Sequence, residues 1–334
     1  MAIRFVRAGK AAALLFLAAA LAFTPAAVRE IEGKALPAEG SVQSGGKESS
    51  SLIQWVDFSV SYLAMKKALT LDIESHKKGG NLSWVDLLAC LGARYGGNFN
   101  RYKSADMDVY AEKLEKEGVE SLEREMKNLP YYREAYGAVL GGLTGTYREN
   151  GEEKYGLTAF SPLAAGFPYE DYDDFGASRS YGFRRVHLGH DMLAATGTPV
   201  VAVEAGVVEA LGWNQYGGWR VGIRSFDSKR YYYYAHLRQN RPYAAGLCLG
   251  ATVEAGDVIG YVGRTGYSTR ENVNNIKVSH LHFGLQLIFD ESQKESKNEI
   301  WVDCYALTKL LRQHRATVVR NPETKEFTHP RSGT

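Results

Sequence analysis

Residues 278–287 read VSHLHFGLQL, an apolar run that carries His280 and His282 two positions apart. Such a run is typical of a β-strand, and a strand points residues i and i+2 to the same face. Both imidazoles therefore leave one side of a sheet together, as two nitrogens must in order to meet at a metal ion or a polarised water. A bare H-x-H also recurs in metal-free proteins, so the rest of the chain decides what this pair means.

A second group of ligand-type side chains lies upstream, where residues 184–191 read RRVHLGHD. His187 supplies one imidazole nitrogen and Asp191 one carboxylate oxygen. With one imidazole of the later pair they make a set of three ligands, which leaves the fourth tetrahedral position open for water, as a catalytic zinc site requires. We expect His190 to be a packing or supporting residue.

The strand-like run YYYYAHL lies between these two stretches. A period of two places Tyr232, Tyr234 and His236 on one face. Tyr232 and Tyr234 are equally expected to line the wall of an active site or simply to pack in the core. Tyr231 and Tyr233 are expected to pack in the core or on the sheet.

The order of these motifs resembles that of the lysostaphin and LytM-type zinc endopeptidases, which cut peptide cross-links of bacterial cell walls. Five elements match in sequence, namely H-x-x-x-D, G-T-P-V, Y-x-H-L, G-x-T-G and H-L-H-F, at residues 187–191, 197–200, 234–237, 263–266 and 280–283.

The resemblance covers roughly residues 157–312 and implies a Zn²⁺ site. Carried over position by position, it assigns His187, Asp191 and His282 as the metal ligands. It places His236 and His280 beside the scissile bond, as catalytic residues that do not bind the metal. The implied substrate is a stem peptide or cross-bridge of peptidoglycan.

The residues support this chemistry by themselves. Peptide hydrolysis needs a polarised carbonyl and a deprotonated water, and zinc with one open position supplies both. An imidazole with an ordinary pKa of about 6.5 can take up the proton of that water and stabilise the oxyanion or the leaving amine. The chain has no H-E-x-x-H motif with a glutamate base. His236 and His280 must therefore carry that role, and the sequence leaves open which of them does which.

Two rival interpretations belong to other classes of protein. In the first, the same fold is a catalytically inactive scaffold in a cell-envelope assembly. Such scaffolds typically lack a metal ligand, whereas all five site positions are present here. The second is a cupin barrel, which would place a glutamate shortly after H-x-H, but the residues that follow, Phe283-Gly284-Leu285-Gln286, include none.

Charge and cysteine content narrow the class of protein further. The chain of 334 residues has 40 basic and 38 acidic residues, a formal net charge of +2, which gives no basic field of the kind that nucleic-acid binders use. We therefore expect no nucleic-acid partner. Cys90, Cys248 and Cys304 form no C-x-x-C and are expected as small core residues. Export would permit a bridge between Cys248 and Cys304.

The N-terminal residues predict export. Basic residues precede an uncharged apolar run at residues 11–23, and small residues follow at 24–27. Residues 1–28 are thus predicted as a signal peptide or an uncleaved signal-anchor, which is the only membrane contact we expect. The rest of the chain is expected to be extracytoplasmic, secreted or anchored to the cytoplasmic membrane, and to face the cell wall.

The remaining chain divides into three predicted parts. Residues 29–52 are rich in Gly, Ser, Lys and Glu and predict a flexible linker. Residues 53–150 predict a helical domain of unknown role, whose aromatic side chains suit a protein or glycan partner but more often pack between helices. Residues 151–334, with a core at 157–312, predict the peptidase domain. The fold class is therefore α+β, with an all-helical segment followed by a β-rich, mainly antiparallel domain.

Individual helices and strands are predicted from the periodicity of apolar residues and from the residues that typically begin or end such elements. Helices are expected over residues 60–71, from a capping box at 83–86 to Gly96-Gly97, from 105 to Gly118, and from Pro130 to Gly141. Strands are expected at 200–203, 207–211, 219–223, 231–236, 258–262 and 282–287. Glycine-containing loops at 213–220 and 264–268 are expected to border a substrate groove, with Tyr216 and Tyr267 as contact candidates.

Overall fold

The computed structural model describes residues 53, 56–149, 151–180, 184–294 and 298–330. The predicted signal segment and linker lie outside the described residues. Within the described ranges, every helix is too short or too polar to span a lipid bilayer.

The helices are concentrated in the N-terminal half, as predicted. The described chain forms α1 Tyr62–Lys77, α2 Trp84–Tyr95, α3 Ser104–Glu117, α4 Val119–Glu125, α5 Leu129–Leu140 and α6 Tyr305–Leu311, with 3-10 turns at Phe99–Arg101 and Glu291–Gln293. The four predicted helices are present. Helices α4 and α6 were not predicted, and both have only seven residues.

The capping box predicted at the start of α2 is wrong. Ser83 does occupy the N-cap position of α2, but its side chain makes no capping hydrogen bond. Instead, the backbone N–H of Trp84 donates to Oδ2 of Asp72 at 2.9 Å. A buried carboxylate on the neighbouring helix thus satisfies the free N–H that a capping box would otherwise serve.

Sixteen strands are described, and all their pairings are antiparallel. They are β1 Thr144–Glu149, β2 Glu152–Leu157, β3 Tyr169–Tyr172, β4 Ser178–Ser180, β5 Arg184–Val186, β6 His190–Ala194, β7 Pro199–Val201, β8 Gly206–Asn214, β9 Gly218–Ser225, β10 Arg230–Ala235, β11 Thr252–Val253, β12 Val258–Tyr261, β13 His280–Leu287, β14 Ile300–Val302, β15 Val319–Arg320 and β16 Phe327–Thr328.

The main sheet has eight strands in the order β11-β8-β9-β10-β13-β6-β3, with β14 paired to the far end of β13. Each of the six predicted strands is present, and the α+β class with a mainly antiparallel sheet is confirmed. Strand β13, which carries the H-L-H motif, lies in the interior of the sheet between β10 and β6. This position puts its histidines within reach of side chains from both neighbours.

Helices and sheet share one hydrophobic cluster, which extends from Trp84 on α2 to Phe283 on β13. Fully buried Arg230 on β10 also donates from Nη1 to the backbone oxygen of Ala138 on α5, at 2.9 Å. The predicted boundary near residue 150 falls at the tip of the β1–β2 hairpin. The division of residues 53–334 into two domains stays a prediction.

All three cysteines are free. Cys90 and Cys304 are buried, as expected, whereas Cys248 is exposed, so its prediction as a core residue is wrong. It lies in the connection between β10 and β11.

Candidate active site

Strand register brings the predicted ligands together. In the ladder between β13 and β6, His282 lies directly opposite Asp191, and on the other side of β13 it lies opposite Ala235 of β10. His280 lies two residues earlier on the same face. His187 lies between β5 and β6, four residues before Asp191.

Three ligand-type atoms from separate segments converge. Nε2 of His187 lies 3.0 Å from Oδ1 of Asp191 and 2.9 Å from Nδ1 of His282. Nδ1 of His282 in turn lies 3.1 Å from Oδ1 of Asp191. The structure therefore brings together all three residues that the sequence predicted as metal ligands.

Asp174, which sequence reasoning missed, orients His187. Nδ1 of His187 donates to the backbone oxygen of Asp174 at 3.1 Å, and this bond leaves Nε2 facing the other two ligands. The Asp174 carboxylate pairs with Arg179, whose Nη2 also lies 3.4 Å from Oδ2 of Asp191. Asp174 lies outside the matched motifs, so only the folded chain shows its role.

Gly189 allows His282 to approach the H-x-x-x-D segment. A Cβ atom at residue 189 would lie 2.5 Å from Cε1 of His282 and 2.8 Å from the backbone oxygen of Phe283. Both distances are shorter than real contacts allow, so a glycine is needed at this close approach.

The ligand residues are electrostatically coupled. Burial lowers the pKa of His187, but hydrogen bonds with Asp174 and Asp191 outweigh this and raise it to about 9. Burial raises the pKa of Asp191, but His187 and His282 together hold it well below its usual range. The pKa of His282 is lowered, mainly by burial.

The two predicted catalytic histidines lie beside this cluster. The ring centroid of His236 is 4.8 Å from that of His280 and 5.7 Å from that of His282. Nδ1 of His236 donates to the backbone oxygen of Thr265, and Nδ1 of His280 donates to that of Val278, both at 2.9 Å. Since a carbonyl only accepts, Nε2 of each neutral ring is left without a proton. Nε2 of His280 lies 3.7 Å from Oδ1 of Asp191, so it faces the site.

Thr265 fixes the position of His236, although sequence reasoning noted only its G-x-T-G motif. The side chain is fully buried, donates from Oγ1 to the backbone oxygen of Leu237 and accepts from the N–H of Trp219 at 3.1 Å. Its own carbonyl then holds Nδ1 of His236. Thr265 of the G-x-T-G motif therefore links the segment that carries His236 to the loop at residues 264–268.

The predicted face of the tyrosine run is wrong. His236 has a φ of 61°, which breaks the strand alternation after Ala235. As a result Tyr231 and Tyr233 line the groove with His236. The other two point into the core, where the hydroxyl of Tyr232 donates to Glu204 at 2.7 Å and that of Tyr234 accepts from the N–H of Val203 at 3.0 Å.

A groove of about 780 Å³ runs over the five site residues. Tyr216 and Tyr267, from the two loops predicted to border it, both line it, and Trp301 closes another side. His190, which was expected to be a packing or supporting residue, lies outside this groove. It is buried, with Nε2 3.0 Å from Oδ1 of Asp171.

The donor set fits zinc. Two imidazole nitrogens and one carboxylate oxygen, all within 4.8 Å of one another, are offered by His187, Asp191 and His282. Magnesium and calcium prefer oxygen ligands, whereas this mixture is typical of catalytic zinc sites with three protein ligands. The orienting bond from Asp174 to His187 is also typical of metal-bound histidine.

Comparison with known proteins gives the class of this site. The model of peptidase family M23 matches residues 185–296, a range that includes all five predicted site residues. The chain therefore contains an M23 peptidase domain, which confirms the resemblance to the lysostaphin and LytM-type peptidases.

Particular relatives support this assignment. The chain is 37% identical over 155 residues to the L-Ala–D-Glu endopeptidase of Bacillus subtilis, a match that covers 46% of each chain. It is 35% identical over 99 residues to lysostaphin of Staphylococcus simulans, covering 29% of this chain and 17% of the relative. The chain thus spans less than half the length of these curated relatives.

One solved structure shares the fold more widely. It is a Ruminococcus gnavus protein with a proposed identity as a glycyl-glycine endopeptidase, LytM. The similarity has a TM-score of 0.55 at 24% identity and covers 80% of this chain and 94% of the other. Because residues 157–334 make up little more than half of the chain, this coverage includes helical residues as well as the sheet.

Proposed function

We propose that this protein is a zinc-dependent endopeptidase that hydrolyses peptide cross-links or stem peptides of bacterial peptidoglycan. The observation that carries the proposal is the convergence of His187, Asp191 and His282 at one point, with His236 and His280 beside it in one groove. The substrate class is supported by the matched relatives, among them an L-Ala–D-Glu endopeptidase and a glycyl-glycine endopeptidase, ALE-1, of Staphylococcus capitis.

The proposed metal-binding residues are His187, Asp191 and His282. Bound zinc supplies a Lewis acid for the scissile carbonyl and lowers the pKa of water to near neutrality. The protein's own contribution is orientation: Asp174 sets the nitrogen that His187 presents, and the β6–β13 register sets Asp191 against His282.

The proposed acid–base pair is His236 and His280. Both rings donate from Nδ1 to a backbone carbonyl, so each neutral ring presents a lone pair on Nε2. Burial, followed by the charges of His280 and His282, lowers the pKa of His236 well below its ordinary value. His236 is therefore neutral at physiological pH and ready to accept a proton. Once protonated, Nε2–H of either ring can stabilise the oxyanion or donate to the leaving amine.

The rival scaffold function receives less support from the site. An inactive scaffold has no need of oriented ligands or of two histidines whose Nδ1 atoms are both held by backbone carbonyls, and both features are retained here. Perturbed titratable groups that cluster in a groove are typical of catalytic sites. The proposed place of action is outside the cytoplasm, at the cell wall, where the proposed substrate lies.

Digestion of purified peptidoglycan tests the proposed function. Zinc-loaded protein should release new amino groups, a chelator should abolish the release, and added zinc should restore it. Mass spectrometry of the released fragments identifies the bond. A protein with full zinc occupancy that releases no fragment from any cross-link type would favour the scaffold.

A further inference from the structure

Two arginines line the groove beyond the proposed metal ligands. Arg185 on β5 precedes His187 by two positions, so an extended chain directs both to the same side. Arg220 on β9 precedes Val221, the cross-strand partner of Tyr234, and therefore lies level with Ala235 and close to His236. Both arginines therefore line the groove that holds the five site residues.

Three other arginine and lysine side chains in or near this groove are paired with carboxylates. Arg179 pairs with Asp174 and Asp191, and Lys294 pairs with Glu209 at 2.6 Å. Arg224, next along β9 on the face of Arg220, pairs with Glu209 at 3.0 Å. In these pairs a carboxylate neutralises each cation.

Arg185 and Arg220 are different. Within the described ranges, neither guanidinium has a carboxylate within 4.0 Å, and the Nε atom of each is buried without a hydrogen-bond partner. Both side chains are half-buried. A partly desolvated positive charge without a directly paired carboxylate is unfavourable, and an anionic ligand would relieve that cost.

Aromatic rings hold one of the two guanidinium groups in place. The guanidinium carbon of Arg185 lies 4.7 Å from the ring centroid of Tyr267 and 5.5 Å from that of Tyr216. Such stacking uses the face of the guanidinium and leaves its N–H edges free, which is the geometry for binding a carboxylate through two parallel hydrogen bonds.

We propose that Arg185 and Arg220 form a subsite that binds a free carboxylate of the peptide substrate, one or two residues from the scissile bond. This inference rests on the proposed function, and it specifies the substrate class as an acidic peptide rather than an uncharged glycyl bridge. The spacing follows because one extended residue spans about 3.5 Å. Arg185 lies two positions before His187, and Arg220 lies level with Ala235, the residue before His236.

Calorimetric titration with two matched peptides tests the subsite. The first is L-alanyl-γ-D-glutamyl-L-lysine, which has a free α-carboxylate on its glutamyl residue, and the second is the same peptide with that carboxylate amidated. Binding is measured in chelator, so that neither zinc nor cleavage contributes. Wild-type protein should bind the acidic peptide about tenfold more tightly, and the preference should shrink as ionic strength rises.

The variants Arg185→Gln and Arg220→Gln should each reduce the preference to about twofold or less, with little change in affinity for the amide. Lys277→Gln is the matched control, since Lys277 is an exposed cation on the same groove and should keep the preference. Circular dichroism and zinc content check folding. Arg220→Lys, which retains the charge but not the fork of donors, should keep part of the preference.

Equal affinity of wild type for both peptides, or undetectable binding of the acidic peptide, would overturn the subsite. So would a preference that survives both glutamine variants or that Lys277→Gln loses equally. The proposed function fails separately, when zinc-loaded wild type releases no fragment from peptidoglycan while the calorimetric preference is still present.

Discussion

His282 and Asp191 are direct partners across β13 and β6, with Nδ1 and Oδ1 3.1 Å apart. The register of an interior strand pair therefore fixes two of the three proposed ligands. A shift of one strand by one residue would leave the two side chains on opposite faces of the sheet. The remaining proposed ligand, His187, is oriented toward the same point by its hydrogen bond to the backbone oxygen of Asp174.

The five site residues should separate into two groups when each is replaced by alanine. His187→Ala, Asp191→Ala and His282→Ala should lose zinc, because each removes a ligand from a set of three. His236→Ala and His280→Ala should retain about one zinc per chain and lose about 10²- to 10⁴-fold in rate, the usual effect of removing an acid–base group. Elemental analysis beside a peptidoglycan assay measures both. Loss of zinc from His280→Ala would place that residue among the ligands.

Zinc affinity should depend on pH through His187. In the metal-free protein this residue has a pKa of about 9, above the ordinary value of about 6.5, and only its neutral form can bind a metal. Asp191, with its pKa far below neutrality, releases no proton in this range. Affinity should therefore fall by about tenfold per pH unit below about pH 9. Competition titrations over that range measure the slope, and a flat profile would contradict the prediction.

His187 should also make the folding stability of the metal-free protein depend on pH. Because the pKa of His187 is higher in the folded chain than in the unfolded one, its ionised contacts stabilise the fold fully at low pH. This contribution should be lost as pH rises from about 6.5 to about 9. Urea unfolding in chelator should show that loss for wild type and not for His187→Gln.

Thr265→Val should impair catalysis without removing zinc. The variant keeps the shape of the side chain but loses the hydroxyl that bonds Leu237 and Trp219, so the carbonyl that holds His236 is less well fixed. We expect a lower kcat, unchanged zinc content and a loss of about 1–3 kcal/mol in unfolding free energy, the usual cost of a buried unsatisfied partner. Thr265→Ser, which retains the hydroxyl, should recover kcat. A valine variant with wild-type kcat would show that Thr265 has only a structural role.

Gly189→Ala should weaken zinc binding, although residue 189 itself offers no ligand atom. The added methyl would overlap the ring of His282 and the backbone oxygen of Phe283, so His282 must move away from Asp191. The expected result is at least about tenfold weaker zinc binding, comparable to the loss of an orienting contact. Gly145→Ala is the control, because a Cβ there meets nothing closer than 3.8 Å. Equal zinc affinity in both variants would contradict the proposed geometry.

The sequence predicted the strands and the candidate ligand segments because their signals are local, whereas the choice of His282 as the third ligand came from the resemblance to the lysostaphin and LytM-type peptidases. Alternation places His280 and His282 on one face, and the spacing from His187 to Asp191 lies within a single segment. What it could not predict depends on the folded chain. The left-handed φ of His236 reverses the face of the tyrosines.

Long-range partners gave no sequence signal either. Asp72 replaces the predicted capping side chain from another helix, and Asp174 orients His187 from outside every matched motif. That Arg185 and Arg220 have no paired carboxylate among the described residues, and that their Nε atoms are buried without a hydrogen-bond partner, is visible only in the folded chain.

The helices and the sheet should unfold together. Arg230 on β10 binds Ala138 on α5 and pairs with Glu204 at 2.7 Å, all within a hydrophobic cluster that includes α2 and β13. Hydrogen exchange followed by mass spectrometry should give similar opening free energies for peptides from α2 and from β10. Arg230→Met should lower both by about 3–5 kcal/mol, because it leaves the largely buried carboxylate of Glu204 without its cation. Protection that falls in β10 while α2 is unaffected would instead support two independent domains divided near residue 150.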